Sequence, residues 1–76
     1  MSDTVLTAAP IGSHCTVSAL GGGGPMRRRL MDLGLVEGTE VSPLFESIFK
    51  NPRAYYIRGA VIALRREDTD LIRVTL

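Results

Sequence analysis

The sequence predicts a mainly β fold, a small barrel carrying one short inserted α-helix, and three observations lead there. The chain has 76 residues, a single domain (1–76) that buries only about 60% of its unfolded surface. Several short stretches alternate apolar and polar side chains, the period of a half-buried strand. One stretch alone, about residues 25–33, spaces its apolar residues like a helix. A core this small leaves little interior for a dedicated substrate cleft.

Residues 4–9 (Thr-Val-Leu-Thr-Ala-Ala) form a loosely ordered apolar lead, read as a single helical turn or an edge segment. Pro10 and Gly12 end it, because proline disfavours helical backbone at the residue before it. His14 to Leu20 reads as a strand, with Cys15, Val17 and Ala19 on one face and Thr16 and Ser18 on the other. Gly21 to Gly24 follow as a flexible connector without side chains to pack. Pro25 then suits the first position of a helix, where its missing N–H costs nothing. Met26, Leu30 and Leu33 fall on one face, Arg27, Arg28 and Arg29 cover much of the rest, and Gly34 stands where a left-handed cap is wanted. Leu30 and Leu33 therefore anchor the helix in this reading.

Leu35 to Gly38 reads as a turn in which Gly38 supplies positive φ. Thr39 to Phe45 is strand-like, Val41 and Phe45 alternating against Ser42, Leu44 and Glu46, while Pro43 argues for an edge or a bulge. Phe49-Lys50-Asn51-Pro52 is a loop. Tyr55 to Arg58 and Ala60 to Arg65 flank Gly59 as a tight hairpin. Glu67 to Asp70 resembles a turn or one 3₁₀ turn, and Ile72, Val74 and Leu76 alternate in a last strand. Five short strands with short antiparallel connections are most economically closed into an SH3-like barrel, since closure removes exposed edges.

Composition narrows the function. Apolar residues at 45% and charged ones at 22% describe a globular domain, not a disordered one. A lone cysteine, Cys15, favours the reducing cytosol, and the acidic start at Asp3 lacks the basic beginning of a signal peptide. No apolar run reaches the length of a membrane span. The formal charge of +1 is too small for general phosphate-backbone attraction, so nucleic acid is not an expected partner. Eight of the nine basic residues are arginine, a side chain suited to specific carboxylate or phosphate contacts.

Candidate chemistry is sparse. His14 and Cys15 are neighbours on a strand and point to opposite faces, so they cannot close on one metal ion. Glu67, Asp68 and Asp70 offer at most a weak oxygen site for a divalent ion, and a solvated turn is the simpler reading. No metal site or cofactor is assigned. The glycine run is followed by Pro25-Met26 rather than Gly-Lys-Ser/Thr, so it is not a phosphate loop. The one histidine has no recognisable Ser or Asp partners, and a catalytic role is not expected. Tyr55 and Tyr56 face opposite sides of a strand and make no stacking platform. The Arg27–Arg29 run spans roughly 200° of helical arc, with Arg29 placed to pair with Asp32 at i+3.

The run Arg29-Leu30-Met31-Asp32-Leu33-Gly34-Leu35-Val36-Glu37-Gly38-Thr39-Glu40-Val41 resembles the FeoA family pattern joining a helix to the second strand. Asn51-Pro52, Arg58-Gly59 through Ala63-Leu64-Arg65-Arg66, and Asp70-Leu71-Ile72-Arg73-Val74 match further along in order, and Pro10-Ile11-Gly12 resembles the opening. The resemblance covers the chain from about residue 10 onward; the bare glycine loop and Pro43 depart from it. It implies a cytosolic SH3-like accessory protein of ferrous iron uptake that modulates the FeoB membrane transporter by protein contact, reaching the membrane only through that partner. A similar domain ends the DtxR-type metal-dependent repressors, so a metal-responsive regulatory domain is the alternative. Arg27, Arg28 and Met31 are then the candidate partner-binding residues, with Leu30, Leu33, Gly34, Gly38 and Gly59 structural. An edge near Pro43 leaves weak self-association open.

Overall fold

Alternating side chains build six antiparallel strands, one more than the sequence predicts, in a computed structural model that describes residues 3–76. They are β1 (Asp3–Val5), β2 (Cys15–Leu20), β3 (Glu40–Glu46), β4 (Arg53–Ile57), β5 (Ala60–Leu64) and β6 (Ile72–Thr75). Helix α1 (Gly24–Asp32) lies between β2 and β3, and the single-turn helix α2 (Arg66–Thr69) precedes β6. The extra strand comes from the apolar lead. Asp3, Thr4 and Val5 pair with Thr75, Val74 and Arg73, and a 3₁₀ turn at Leu6–Ala8 drops Leu6 fully into the core.

The strands form one sheet in the order β1-β6-β2-β3-β4-β5. Among the described residues no backbone ladder joins its two ends, so the expected closure is incomplete. A side chain spans the gap instead. Arg53, buried on β4, donates from Nη1 to the Thr7 carbonyl at 2.7 Å and from Nη2 to the Ala9 carbonyl at 2.8 Å. The core inside comprises Leu6, Val17, Leu30, Leu35, Val41, Tyr55, Ile57, Leu64, Ile72 and Val74, with Cys15 and Ala9 beside them. Burial pushes the Tyr55 phenol up from its ordinary value, while the nearby Arg53 guanidinium pulls it down.

Two register shifts overturn the predicted faces. Between Val17 and Ala19 the pairing with β6 slips, which turns Ala19 outward and packs Leu20 against the core. Between Pro43 and Phe45 the pairing with β4 slips, so Pro43 is buried and Phe45 is 59% exposed. Proline is tolerated there because the described β2–β3 ladder ends at Cys15↔Val41, so no paired strand needs an N–H from Pro43, while its carbonyl accepts the Gly12 N–H at 2.9 Å. The β4–β5 hairpin turns through Arg58 and Gly59, both at positive φ (50° and 86°), the twist a two-residue connection favours. Among the described residues no helix is long and apolar enough to cross a membrane.

Candidate partner-binding surface

Helix α1 is held at both ends by glycine geometry. At its start the first half of the glycine run is packed, while a Cβ on Gly23 or Gly24 would meet nothing within 4 Å. The Gly21 N–H donates to the Leu71 carbonyl at 2.6 Å, and a Cβ on Gly22 (φ 72°) would lie 3.1 Å from Leu71 Cδ1. At its end the Gly34 N–H bonds the Met31 carbonyl (2.9 Å) and the Leu35 N–H bonds the Leu30 carbonyl (3.0 Å), with Gly34 at φ 94°. This is a Schellman cap, and its accompanying apolar contact joins Leu30 and Leu35, both fully buried. Leu35, which reads as a turn residue in the sequence, thus belongs to the core. A Cβ on Gly34 would also meet Arg58 Cδ at 2.8 Å, so the Arg58 side chain of the hairpin turn lies directly over the cap. Leu33 packs against the core while remaining partly exposed.

Arg29 differs from its two arginine neighbours. It does not pair with Asp32; it reaches Asp68 on α2 with two parallel bonds, Nη1–Oδ1 at 2.7 Å and Nη2–Oδ2 at 3.1 Å. The Asp68 side chain is only 3% exposed, so the solvated acidic turn expected at 67–70 is solvated only in part. Asp68's bond and charge push the Arg29 guanidinium further above its ordinary range. Asp70 accepts the Thr7 hydroxyl at 2.6 Å instead of turning toward Asp68. Among the described residues no three His, Cys, Asp or Glu side chains gather as metal ligands would. Arg29→Ala strands the buried Asp68 carboxylate, and thermal melts should show a midpoint at least about 5 °C lower, against a shift of about 1 °C for Arg28→Ala.

Arg27, Arg28 and Met31 all lie on the exposed side of α1. Met31 is 45% exposed and stands between two shallow hollows. One, of about 410 Å³, is lined by Gly24, Arg27, Arg28, Met31 and Asp32. The other, of about 280 Å³, is lined by Ala19, Leu20, Arg27, Met31, Val36 and Glu37. Arg27 is steadied by a bond from Nη1 to the Leu20 carbonyl at 3.2 Å. The surface is therefore an apolar centre, Met31 with the exposed Val36, rimmed by cations on one side and by Asp32 and Glu37 on others. Such a rimmed apolar spot suits protein contact.

A second concavity has no counterpart in the sequence reading. An open groove of about 620 Å³ runs over His14, Ser42, Tyr56 and the β4–β5 turn, with Glu37 and Glu40 at its side. His14 Nδ1 lies 3.1 Å from the Ser42 hydroxyl. Among the described residues no carboxylate hydrogen-bonds that imidazole, so the pair lacks the orienting acid of a nucleophile–base system. Strand alternation does separate Tyr56, 48% exposed here, from the buried Tyr55. Bringing His14 beside Ser42 depends on β2–β3 register, which single residues do not signal.

A family model described as the FeoA domain matches residues 4–76. The structure is similar to iron(II) transport protein A of Clostridium thermocellum, at 25% identity and a TM-score of 0.89 over 93% of this chain and 44% of that one. It is similar to a FeoA-like protein of Clostridium acetobutylicum, at 28% identity and a TM-score of 0.91 over 100% of this chain and 88% of that one. The zinc-complexed FeoA of Stenotrophomonas maltophilia, described as a prokaryotic SH3-domain protein, shares the fold at 22% identity and a TM-score of 0.84, over 95% of this chain and 89% of that one. No curated protein matches the sequence.

Proposed function

The chain belongs to the FeoA domain family, and from that premise we propose that it is a non-catalytic accessory protein of ferrous iron uptake, acting in the cytosol by contact with the cytosolic part of a FeoB-type transporter. One observation carries the choice of surface: Met31 stands exposed between two hollows on a helix fixed by a Schellman cap, a buried leucine and the Arg29–Asp68 pair. A rigid helix presenting an apolar centre binds without having to order itself first. Arg27 and Arg28 supply charge at the rim, where it aids encounter and orientation more than affinity.

The decisive experiment is a pull-down of the purified chain with the FeoB cytosolic domain, with and without GTP. Retention that Met31→Asp reduces at least about tenfold supports the reading, because a buried charge at the centre of an interface is costly. The same variant should melt within about 2 °C of the parent, since its side chain is exposed. No retention in either nucleotide state would sink it. The family match favours this accessory role over a metal-responsive repressor domain. An anaerobic titration with Fe²⁺ or Mn²⁺ separates the two, a stoichiometric tight site pointing to the repressor-like alternative.

A further inference from the structure

The β3–β4 connection, residues 47–52, projects two large apolar side chains into solvent: Ile48 is 93% exposed and Phe49 86%. Phe45, at the end of β3, adds a third exposed apolar side chain on the same hairpin. Beneath this hairpin end lies a polar cavity of about 100 Å³, whose lining includes Lys50, Asn51, Arg53, Tyr55 and Arg66. Among the described residues two buried polar atoms in that lining, Arg53 Nε and the Tyr55 hydroxyl, make no hydrogen bond of full geometry, although the hydroxyl lies near enough to Thr69 to be influenced by it. Glu46 also lines the cavity, its Oε1 3.8 Å from Arg53 Nε, too far for a hydrogen bond. Lys50, Arg53 and Arg66 thus share the lining with Glu46, while Asp70 is held behind it on Thr7 and the Arg53 terminal nitrogens are spent on the Thr7 and Ala9 carbonyls.

Unpartnered buried donors of this kind call for a ligand or ordered water. The apolar residues above them form a narrow, convex wedge. Its three side chains are few beside the roughly 20–30 residues a side of a standard protein interface. A bilayer accepts such a wedge readily, and cations at its base complement anionic headgroups.

We propose that this end of the sheet is a membrane-surface anchor for anionic phospholipid, Ile48 and Phe49 entering the acyl boundary while Lys50 and Arg66 hold a headgroup phosphate at the cavity mouth. Arg53 Nε–H and the Tyr55 hydroxyl are the donors behind that mouth. Membrane contact is then direct, in addition to any contact made through a transporter. The anchor stands apart from the Met31 surface and needs no partner protein.

Flotation of the full chain with vesicles tests it. The chain should rise with phosphatidylcholine vesicles containing phosphatidylglycerol and stay behind with pure phosphatidylcholine. Phe49→Ser and Ile48→Ser should each lower the bound fraction at least about tenfold, and Lys50→Glu should remove the preference for the anionic lipid. Met31→Asp should float like the parent, so failure of the anchor and failure of the partner surface are read separately. Circular dichroism melts of the exposed-site variants should coincide with the parent. Absence of flotation with phosphatidylglycerol vesicles overturns the proposal, as does flotation indifferent to Phe49→Ser. Phe49-dependent capture of the FeoB cytosolic domain without vesicle binding overturns it in favour of protein contact.

Discussion

Leu30→Ala lowers the unfolding free energy by about 3 kcal/mol, the cost of emptying a fully packed leucine site. Leu30 is the one described residue of α1 that is completely buried, and its carbonyl accepts the Leu35 N–H that closes the helix. In a domain of this size the loss corresponds to a midpoint roughly 12–24 °C lower. Leu33→Ala, at a site only partly buried, should cost less than half as much. Urea denaturation of both variants checks the ratio. Equal, small losses would show that the helix is held by something other than Leu30, and the rigid presentation of Met31 would lose its basis.

Arg53→Met comes next in size, at about 3 kcal/mol. It removes two charge-assisted hydrogen bonds, each worth roughly 1.5–3 kcal/mol, and leaves the Thr7 and Ala9 carbonyls without their donor. The methionine side chain recovers part of the packing. Arg53→Lys should not restore stability, because one ammonium cannot reproduce a planar fork reaching two carbonyls. Native-state hydrogen exchange localises the effect: amides of β1 and β6 should lose protection before those of the β4–β5 hairpin, since Arg53 ties the lead to the far side of the sheet. Uniform loss of protection along the chain would contradict that role.

Much of the fold was legible in the residues themselves. Pro25 and Gly34 bracket the helix because each has a backbone preference that a neighbour cannot supply, and Gly59 marks its hairpin for the same reason. Alternation found the buried partners Cys15 and Val17, Ile72 and Val74. It failed where the ladder slips. Ala19 and Phe45 sit one step beyond a bulge: in β2 the faces reverse there, and in β3 Leu44, Phe45 and Glu46 are all exposed. The lead reads as a helical turn or an edge segment and contains both, but the burial of Leu6 comes from contacts with segments distant along the chain, and local composition carries no trace of them.

The candidate surface divides along the same line. Arg27, Arg28 and Met31, left available once Leu30 and Leu33 anchor the helix, do lie outward. Arg29 reads locally as the partner of Asp32, but a buried carboxylate 39 residues away competes better for it. The cavity under the β3–β4 connection escapes the sequence altogether, since it is assembled from Thr7, the hairpin and α2.

The central claim, that the outer face of α1 is where a partner is received, is tested most directly by residue-level NMR. The ¹⁵N-labelled chain would be titrated with the FeoB cytosolic domain while backbone amide shifts are followed. The account predicts perturbations concentrated at residues 27–31 and 36–37, with the His14–Tyr56 groove quiet. Perturbations confined to that groove, or none at saturating partner, would contradict it.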